Sequence, residues 1–485
     1  MSKFSVYLKS LIDESGEPIS TIAREIGAER TSIHRALKDE RILPYKVIRS
    51  LADYLQLSLE ERQEFFRFYD MLLQGEDVWR NRTAVCDLLN QLSVIPLKAL
   101  PPAGDIPENL SADRISDGLI EGEYSVQNAL YALLATEIAQ TPDVRFQMLL
   151  PLGTDISSML MRLWQINGLF SVDQLFCFPT TADNDCSQSV HVLQQIIPLC
   201  LIARDSYHPY YFYERTGTLA VNPLNYYIIT PHYLVLLSQD QSAALFQCSK
   251  SLVRHFSDHF KSLMERCEPL ISCVSNLAEV LDKSNSLIDL KGCLYLNSQP
   301  CFGHYYTPEL IVKYFQAQNC PLPGILEASV EHFSLLQKVE KNFCTIFSEK
   351  GLQYFMETGI LTEVPQKYIT AVDVKDRLYL LTRLRDDIAE EKVIGLIARP
   401  SYLRVPEYLT LTIDSGGNAY FDTTSAFQGG AFYCNIHISE KSICQAFKDF
   451  FQSLPGSQMV YSREDTLRML DEGIRKLSST NSQQE

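Results

Sequence analysis

Apolar residues recur every three or four positions through the first 75 residues, which is the spacing that places them on one face of a helix. Gly16 and Pro18 separate the first series from the second, and Gly27 ends the second series where the chain needs a positive φ. The two series comprise Phe4, Leu8, Leu11 and Ile12, then Ile19, Ile22, Ala23 and Ile26. This pattern predicts two short helices joined by a tight turn.

Three more helices are predicted before Gly75. The third runs from Arg30 to about Lys38, and Pro44 opens a fourth. Ser58 and Glu61 have the spacing of a capping box, which begins a fifth helix. The apolar face of the fourth helix consists of Val47, Ile48, Leu51 and Leu55. No strand pattern interrupts this segment, so we predict an all-α domain.

The pattern changes beyond residue 75. Residues 76–92 continue as a helix, and a stretch with prolines at 96, 101, 102 and 107 follows as a linker. Helical pieces then alternate with buried strands such as 144–152 and 174–179, and the alternation resumes after a connection near Pro269. This order predicts α/β layers around largely buried sheets, without a repeat of fixed period.

We therefore predict a multidomain protein with an all-α helix-turn-helix N-terminal domain followed by an α/β region of two units. The predicted boundaries are 1–75 for the helical domain, 76–110 for a helix and proline-rich linker, 111–285 for the first α/β domain, 286–477 for the second, and 478–485 for a frayed tail.

The distribution of charge matters more than its sum. The chain has a formal net charge of -16, but residues 1–75 contain eleven Lys and Arg against twelve Asp and Glu, which leaves -15 for the other 410 residues. Within the first domain, the segment from Arg24 to Arg49 has seven basic and four acidic residues. An acidic remainder opposes nonspecific adhesion to nucleic acid, yet it permits a specific contact by one small basic face.

The third helix is amphipathic in a way that suits DNA. Ile33, Ala36 and Leu37 share one side, and the opposite side is basic and rich in hydrogen-bond donors. Such a face fits the major groove, where Arg bonds guanine and Thr or His reaches base edges or phosphates. The predicted DNA-binding residues are Arg30, Thr31, His34, Arg35 and Lys38. Weaker candidates, for phosphate contact alone, are Lys3, Lys9, Lys46 and Arg49.

These residues resemble a known family. The pattern Ile22-Ala23, Gly27-Ala28, Thr31-Ser32-Ile33, then Leu51 and Leu55, resembles the helix-turn-helix domain of the lambda-repressor-like (Cro/C1, XRE) regulators. The resemblance covers roughly residues 4–73, and it implies that the early residues of the third helix read bases. Glu29 departs from the family, which usually has a small polar capping residue there.

The remaining residues contain little that indicates catalysis or metal binding. The thirteen cysteines include no CxxC pair, and the P-loop, GxGxxG, GxSxG and HExxH motifs are missing. His259 and Lys261 begin like the HxKxxxxD signature of phospholipase D, but Arg266 occupies the aspartate position. The tyrosine-rich segment 207–213 is interpreted either as a ligand pocket or as a sheet packed on one side. We therefore predict neither a cofactor nor a metal, and no enzyme.

The interpretation we prefer is a cytoplasmic transcription regulator that binds double-stranded DNA. A homodimer is expected because one recognition helix reads only a few base pairs. The α/β domains would then sense a small-molecule or protein effector, or mediate self-association. We expect neither export nor a membrane span, because the first residues are polar and charged and no apolar run reaches membrane-spanning length. The alternative is an enzyme or signalling scaffold whose helical domain serves protein docking.

Overall fold

The protein is described here as a computed structural model. It forms two compact units, one of residues 1–83 with 183–185 and one of residues 84–182 with 186–485. The structure describes residues 1–94, 117–153, 156–167, 170–180, 185–215, 223–274, 292–319, 324–338, 341–364, 368–423 and 434–481. The proline-rich linker that the sequence predicts lies largely outside these residues.

The N-terminal unit is helical, as the apolar spacing predicts. Ser2 caps the first helix by accepting a hydrogen bond from the Ser5 N–H, and Gly16 ends it with a φ of 66°. The predicted capping box of Ser58 and Glu61 is present. The helices are α1 (Lys3–Ser15), α2 (Ile19–Glu25), α3 (Arg30–Ala36), α4 (Tyr45–Tyr54) and α5 (Leu59–Gln74). Helix α6 (Glu76–Leu92) begins in this unit, and its residues from Ala84 onward belong to the second unit.

One apolar core holds α1 to α5 together. Ile22 of α2, Ile33 of α3 and Leu51 of α4 are fully buried in it. Phe4 of α1 packs against Phe65 of α5 with a ring-centroid distance of 5.3 Å. Full burial of a side chain of this size stabilises a fold by about 1.5–3 kcal/mol, so these contacts fix how α3 is oriented within the unit.

The first sheet has eight strands in the order β1-β7-β6-β5-β2-β3-β4-β8. Strands β2, β3 and β4 are parallel, and β5, β6, β7 and β1 continue the sheet in antiparallel pairs. The elements are β1 (Gly118–Glu121), α7 (Glu123–Gln140), β2 (Val144–Leu149), α8 (Ser157–Asn167), β3 (Phe170–Thr180), α9 (Ser187–Ala203), β4 (Tyr207–Arg215), β5 (Tyr226–Ile229), β6 (Leu234–Leu237), β7 (Ala243–Gln247), α10 (Lys250–Met264) and β8 (Glu268–Pro269).

The second sheet has seven strands in the order β12-β11-β10-β13-β14-β15-β9. Its parallel strands are β10, β11 and β12, and the rest pair antiparallel. The elements are β9 (Ile271–Val274), β10 (Leu294–Asn297), α11 (Pro308–Tyr314), α12 (Ile325–Lys338), β11 (Cys344–Ser348), α13 (Glu349–Thr358), α14 (Val374–Ala389), β12 (Ile394–Ala398), β13 (Leu409–Ile413), β14 (Ala419–Thr423), β15 (Cys434–Ile438), α15 (Lys441–Ser453) and α16 (Arg463–Asn481).

The two sheets have the same topology. The order β1-β7-β6-β5-β2-β3-β4 in the first sheet matches the order β9-β15-β14-β13-β10-β11-β12 in the second. Strands β5, β6 and β7 of the first sheet therefore correspond to β13, β14 and β15 of the second. A helix follows the last strand of each set, α10 after β7 and α15 after β15. The predicted fold class, a helical N-terminal region followed by two α/β units, is confirmed. The repetition lies in topology, which explains why the sequence reveals no fixed period.

Both sheets contribute to one large core. Val172 and Ile228 of the first sheet belong to the same buried cluster as Leu411 and Ile436 of the second. A second cluster, around Phe302 and the helices that follow β10, covers part of the second sheet. The second sheet therefore packs on the shared core with one face, and the second cluster covers part of its other face.

Some expectations about the α/β region differ from the structure in detail. The connection predicted near Pro269 contains β9, which forms the edge of the second sheet inside the range predicted for the first domain. The segment 409–423 is a hairpin of two strands, since the turn at Asp414–Asn418 reverses the chain. Helix α16 continues to Asn481, so part of the predicted frayed tail is helical. In the described part of the chain, no helix combines the length and the apolar character needed to cross a membrane.

Candidate nucleic-acid interface

Helix α3 has a buried side and an exposed side. Ser32, Ile33 and Ala36 are buried against the other helices of the unit. Arg30, Thr31 and Arg35 are exposed and His34 is half-buried, so these four residues form one outward surface. This surface, defined by Arg30, Thr31, His34 and Arg35, is called the α3 face.

A glycine turn sets the angle between α2 and α3. Gly27 has a φ of 68°, a region that residues with a Cβ rarely adopt. The N–H of Ala28 donates to the carbonyl of Ala23 at 2.8 Å, which satisfies a carbonyl at the end of α2. The turn predicted from Gly27 therefore has the geometry that a helix-turn-helix arrangement requires.

The side chains of the α3 face have weak partners. Arg30 Nε donates to His34 Nε2 at 3.3 Å, and Arg35 Nε lies 3.7 Å from the carboxylate of Glu40. The Arg35 and Glu40 side chains are both more than half exposed, and a pair of this kind contributes about 0–1 kcal/mol. Both guanidinium groups can therefore exchange these partners for phosphates or bases at low cost.

Lys38 does not lie on helix α3. The helix ends at Ala36, and Lys38 stands in the following turn, whose next residue, Asp39, has a φ of 60°. The prediction that Lys38 shares the helical face with Arg30 is therefore wrong in its geometry. Lys38 is exposed beside the end of α3, where it is available for a phosphate rather than a base edge.

Asp39 connects this turn to the N-terminus of the chain. Its carboxylate accepts hydrogen bonds from the N–H and the hydroxyl of Ser2, both at 2.5 Å, and from the hydroxyl of Ser5 at 3.2 Å. Partial burial acts to raise the pKa of Asp39, but these hydrogen bonds outweigh it and hold the pKa below its ordinary value. Sequence reasoning missed this contact because the partners are far apart in the chain.

Glu29 occupies the N-cap position of α3 without capping it. Its side chain accepts no hydrogen bond from the backbone of the first turn. Instead, Glu29 Oε2 accepts from the Ser32 hydroxyl at 3.3 Å, and the same hydroxyl accepts from Arg41 Nη1 at 3.0 Å. The Ser32 hydroxyl thus brings Arg41 and Glu29 together at the start of α3. Arg41 was not among the predicted contact residues.

The weaker phosphate candidates are all on the surface. Lys9, Lys46 and Arg49 are exposed, and Lys3 Nζ lies 2.6 Å from the Glu76 carboxylate. Solvation explains each of these side chains as well as DNA contact does, and the ion pair makes Lys3 the least available of them.

The histidine and lysine that resemble a phospholipase D signature lie on the surface of α10. His259 and Lys261 are exposed, and Phe260 between them is fully buried. The tyrosine-rich segment is strand β4, whose Tyr211 hydroxyl donates to Glu268 at 3.0 Å. Among the described residues, no group of three His, Cys, Asp or Glu side chains has the arrangement of a metal site.

Comparison with known proteins identifies no family. No protein-family profile matches the chain, and no curated protein matches it. The polyphosphate kinase of Porphyromonas gingivalis aligns at 11% identity with a TM-score of 0.23, over 76% of this chain and 57% of that one. The phosphatidylserine synthase of Haemophilus influenzae Rd KW20 aligns at 10% identity with a TM-score of 0.24, over 75% of this chain and 94% of the synthase. The archaeal chromatin protein TrmBL2 aligns at 11% identity with a TM-score of 0.23, over 48% and 87%.

TM-scores at this level support no inference about function, and the present chain spans little more than half of the polyphosphate kinase. What is known of those three proteins is therefore not transferred to this one.

Proposed function

We propose that this protein is a DNA-binding transcription regulator. The observation that carries the proposal is the α3 face, in which exposed Arg30, Thr31 and Arg35 project from a helix whose opposite side is locked into an apolar core. In this proposal α3 lies in the major groove of operator DNA, with the two arginines reading guanine and Thr31 or His34 reaching base edges.

Phosphate contacts would surround this helix. Lys38, in the turn after α3, and Arg41, at its N-terminal end, have the charge and exposure that such contacts need. Each phosphate neutralised releases counterions, so affinity depends steeply on salt. The negative charge of the other 410 residues would restrict binding to sites that fit the α3 face.

The α/β region would serve as sensor and oligomerisation region of a cytoplasmic homodimer. Two α3 helices about one DNA turn apart would read a longer site than one helix can. An effector, whether a small molecule or a protein, would act by changing the relative placement of the two DNA-binding units. The free thiol state of every cysteine in the described part of the chain fits a reducing compartment.

The test is a DNA-binding titration of the full-length protein and a matched pair of variants. Arg30→Ala removes a charge from the α3 face, and Arg67→Ala removes an exposed charge from α5, where Arg67 is paired with Glu64 at 2.5 Å. We expect Arg30→Ala to lose about 1–3 kcal/mol of binding free energy on a selected site, with Arg67→Ala close to wild type. Equal effects of the two changes would remove Arg30 from the recognition role.

The same titration separates the alternative function. If the helical unit docks a protein for an enzyme or scaffold, DNA affinity at low salt is absent or does not fall as salt rises. Regulation of DNA binding predicts instead a linear fall of the logarithm of affinity with the logarithm of salt concentration.

A further inference from the structure

The second sheet encloses a cavity of about 600 Å³ that the proposed DNA contact does not use. Its floor is the sheet itself, and its walls come from α11, α12 and the loop before α14. This volume falls within the range of small-molecule sites in proteins, roughly 300–1,000 Å³. We call it the second-sheet cavity.

The floor of this cavity is unusually polar for a sheet that is covered. Alternation along β13, β14 and β15 sends Leu411, Phe421 and Ile436 to the shared core and their neighbours to the opposite face. Those neighbours line the cavity: Thr410, Thr412, Tyr420, Asp422, Asn435 and His437. Cross-strand pairing places them together, with Thr412 opposite Tyr420 and Asp422 opposite Asn435.

The first sheet provides an internal comparison. Its equivalent strands β5 and β6 read Tyr-Tyr-Ile-Ile and Leu-Val-Leu-Leu, so both of their faces are apolar or aromatic. At β5 and β6 the first sheet has no counterpart of the polar residues on β13 and β14. The shared topology therefore does not by itself require polar residues at these positions.

Two buried polar side chains at the cavity lack ordinary hydrogen bonds. Asn297, at the end of β10, is 4% exposed, and its Oδ1 accepts no hydrogen bond among the described residues. His304 is equally buried and stacks on Phe343 at 4.2 Å, and neither of its ring nitrogens has a partner of normal geometry there. The Leu336 backbone is close enough to act on the ring, but it does not complete such a bond.

An unsatisfied buried acceptor or donor costs about 1–3 kcal/mol, so it is retained where something pairs with it. Both side chains line the cavity, but their unpaired atoms are covered and do not reach its open space. The groups that a bound molecule contacts directly are therefore the polar side chains of the floor.

The charges around the cavity restrict what that molecule can be. No Lys or Arg is among the described residues that line it, whereas Glu363, Glu407, Asp414 and Asp422 all do. Glu363 accepts from the Tyr306 hydroxyl at 2.7 Å. Asp414 accepts from the backbone N–H and the side-chain amide of Asn418 at 2.8 and 2.7 Å. Glu407 is paired with Lys350 at 2.5 Å, and burial raises the pKa of Glu363, so the negative field comes mainly from Asp414 and Asp422. Asp422 accepts from the neutral side-chain amide of Asn435, and the two charges oppose an anionic ligand.

The walls supply flat apolar surface. Aromatic side chains from α11, α12 and nearby loops line the cavity: Tyr306, Tyr314, Phe315, Phe333 and Tyr368. Tyr306 and Phe333 pack edge to face with centroids 5.2 Å apart, which leaves ring surface for a planar molecule.

We propose that the second-sheet cavity binds a flat, mainly apolar organic molecule that carries N–H or O–H donors and is neutral or positively charged. The ligand body lies against the aromatic walls, and its donors face the carboxylates of Asp414 and Asp422. The binding claim stands independently of DNA; only its consequence, regulation of the α3 face by this ligand, rests on the proposed function.

The experiment uses probes of one shape and three charges. Tryptamine, tryptophol and indoleacetate share a ring and differ in an ammonium, a hydroxyl or a carboxylate, and the corresponding naphthalene compounds repeat the series on another ring. Binding to the full-length protein is measured by saturation-transfer NMR and by calorimetric titration. We expect the amines and alcohols to bind at least about tenfold more tightly than the carboxylates, because like charges repel in a partly desolvated site.

Two variants locate the binding. Ser329, on α12, lines the cavity and is buried, so Ser329→Phe fills space that Ser329→Ala leaves open. We expect the phenylalanine variant to abolish probe binding and the alanine variant to retain it. Where Ser329→Phe fails to fold, Asp422→Asn takes its place, with an expected loss of about tenfold in the affinity of the amines and little change for the alcohols.

Three results would overturn the proposal: no amine or alcohol binds, the carboxylates bind as tightly as the amines, or binding persists in a folded Ser329→Phe protein. These measurements contain no DNA. A chain that binds the probes but not DNA would therefore refute the proposed function alone, and the reverse result would refute the cavity alone.

Discussion

Glu29 offers a way to ask whether DNA really approaches the start of α3. Glu29→Gln keeps the size of the side chain and removes only its charge. The carboxylate is exposed at the N-cap position of the helix, and its one hydrogen bond there is from the Ser32 hydroxyl. If α3 enters the major groove, this charge stands close to a phosphate.

The expected magnitude is small but has a characteristic sign. Two like charges roughly 7 Å apart in water repel by about 0.6 kcal/mol, so the variant should bind DNA two- to threefold more tightly at low salt. Folding stability should move in the opposite direction, because an acid at a helix N-terminus stabilises the helix by about 0.3–1 kcal/mol. Tighter DNA binding together with lower folding stability would separate a direct effect on DNA binding from an effect that acts through a more stable fold.

The assay is fluorescence anisotropy on a labelled duplex across a salt series, together with thermal unfolding. Glu60→Gln is the matched control, since Glu60 is exposed in the first turn of α5 and its loss affects that helix in the same way. The gain in affinity should vanish at high salt, where charges are screened within a few ångströms. If Glu29→Gln lowers stability and leaves DNA affinity unchanged, the docking of α3 on DNA is refuted.

Further predictions concern the core, the cavity and a close packing contact. Ile33→Ala should lower the free energy of unfolding of the helical unit by about 2–5 kcal/mol, because Ile33 is fully buried beneath the α3 face; chemical denaturation followed by circular dichroism measures this. Burial, with a smaller contribution from the charge of Lys341, lowers the pKa of His304 to about 4. The unfolded chain, with a His pKa of about 6.5, therefore binds a proton that the folded chain does not. The folding stability that depends on neutral His304 is complete above pH 6.5 and is lost as the pH falls toward 4. From pH 7 to pH 5, the wild type should therefore lose about 2 kcal/mol more stability than His304→Phe. Equal pH slopes in urea titrations would contradict the burial of a neutral His304. Gly351→Ala should destabilise the protein by about 1–3 kcal/mol although alanine favours helices, because the new Cβ would lie 1.9 Å from the Ser298 carbonyl oxygen; an unchanged melting temperature would show that this contact is looser.

The sequence predicts the helical unit well because its signals are local. Apolar spacing marks Ile22 and Ile33 as core residues, and Ser58 with Glu61 marks the start of α5 within four positions. These features depend on neighbours along the chain, so single-sequence reasoning reaches them. Lys38 was misplaced because the helix ends early, and the left-handed turn that ends it is held by Ser2 and Ser5, more than thirty residues away.

The α/β region is less predictable because its organisation is long-range. The matching order of the two sheets depends on pairings such as Ile271 with Ile438, which no local pattern encodes. The second-sheet cavity could not be predicted from local pattern either. The alternation of Thr410 and Thr412 with leucines is typical of a strand with one solvated face. Only the three-dimensional arrangement reveals that this face is covered, and that Asn297 is buried beside it.

The most direct test of the central claim is selection of bound fragments from sheared DNA by the full-length protein, followed by sequencing. We predict enrichment of a defined site, with two half-sites about one helical turn apart if the protein acts as a dimer, and loss of that enrichment in Arg30→Ala. Recovery of fragments with no shared sequence, or no recovery at low salt, would contradict a regulator that reads DNA through α3.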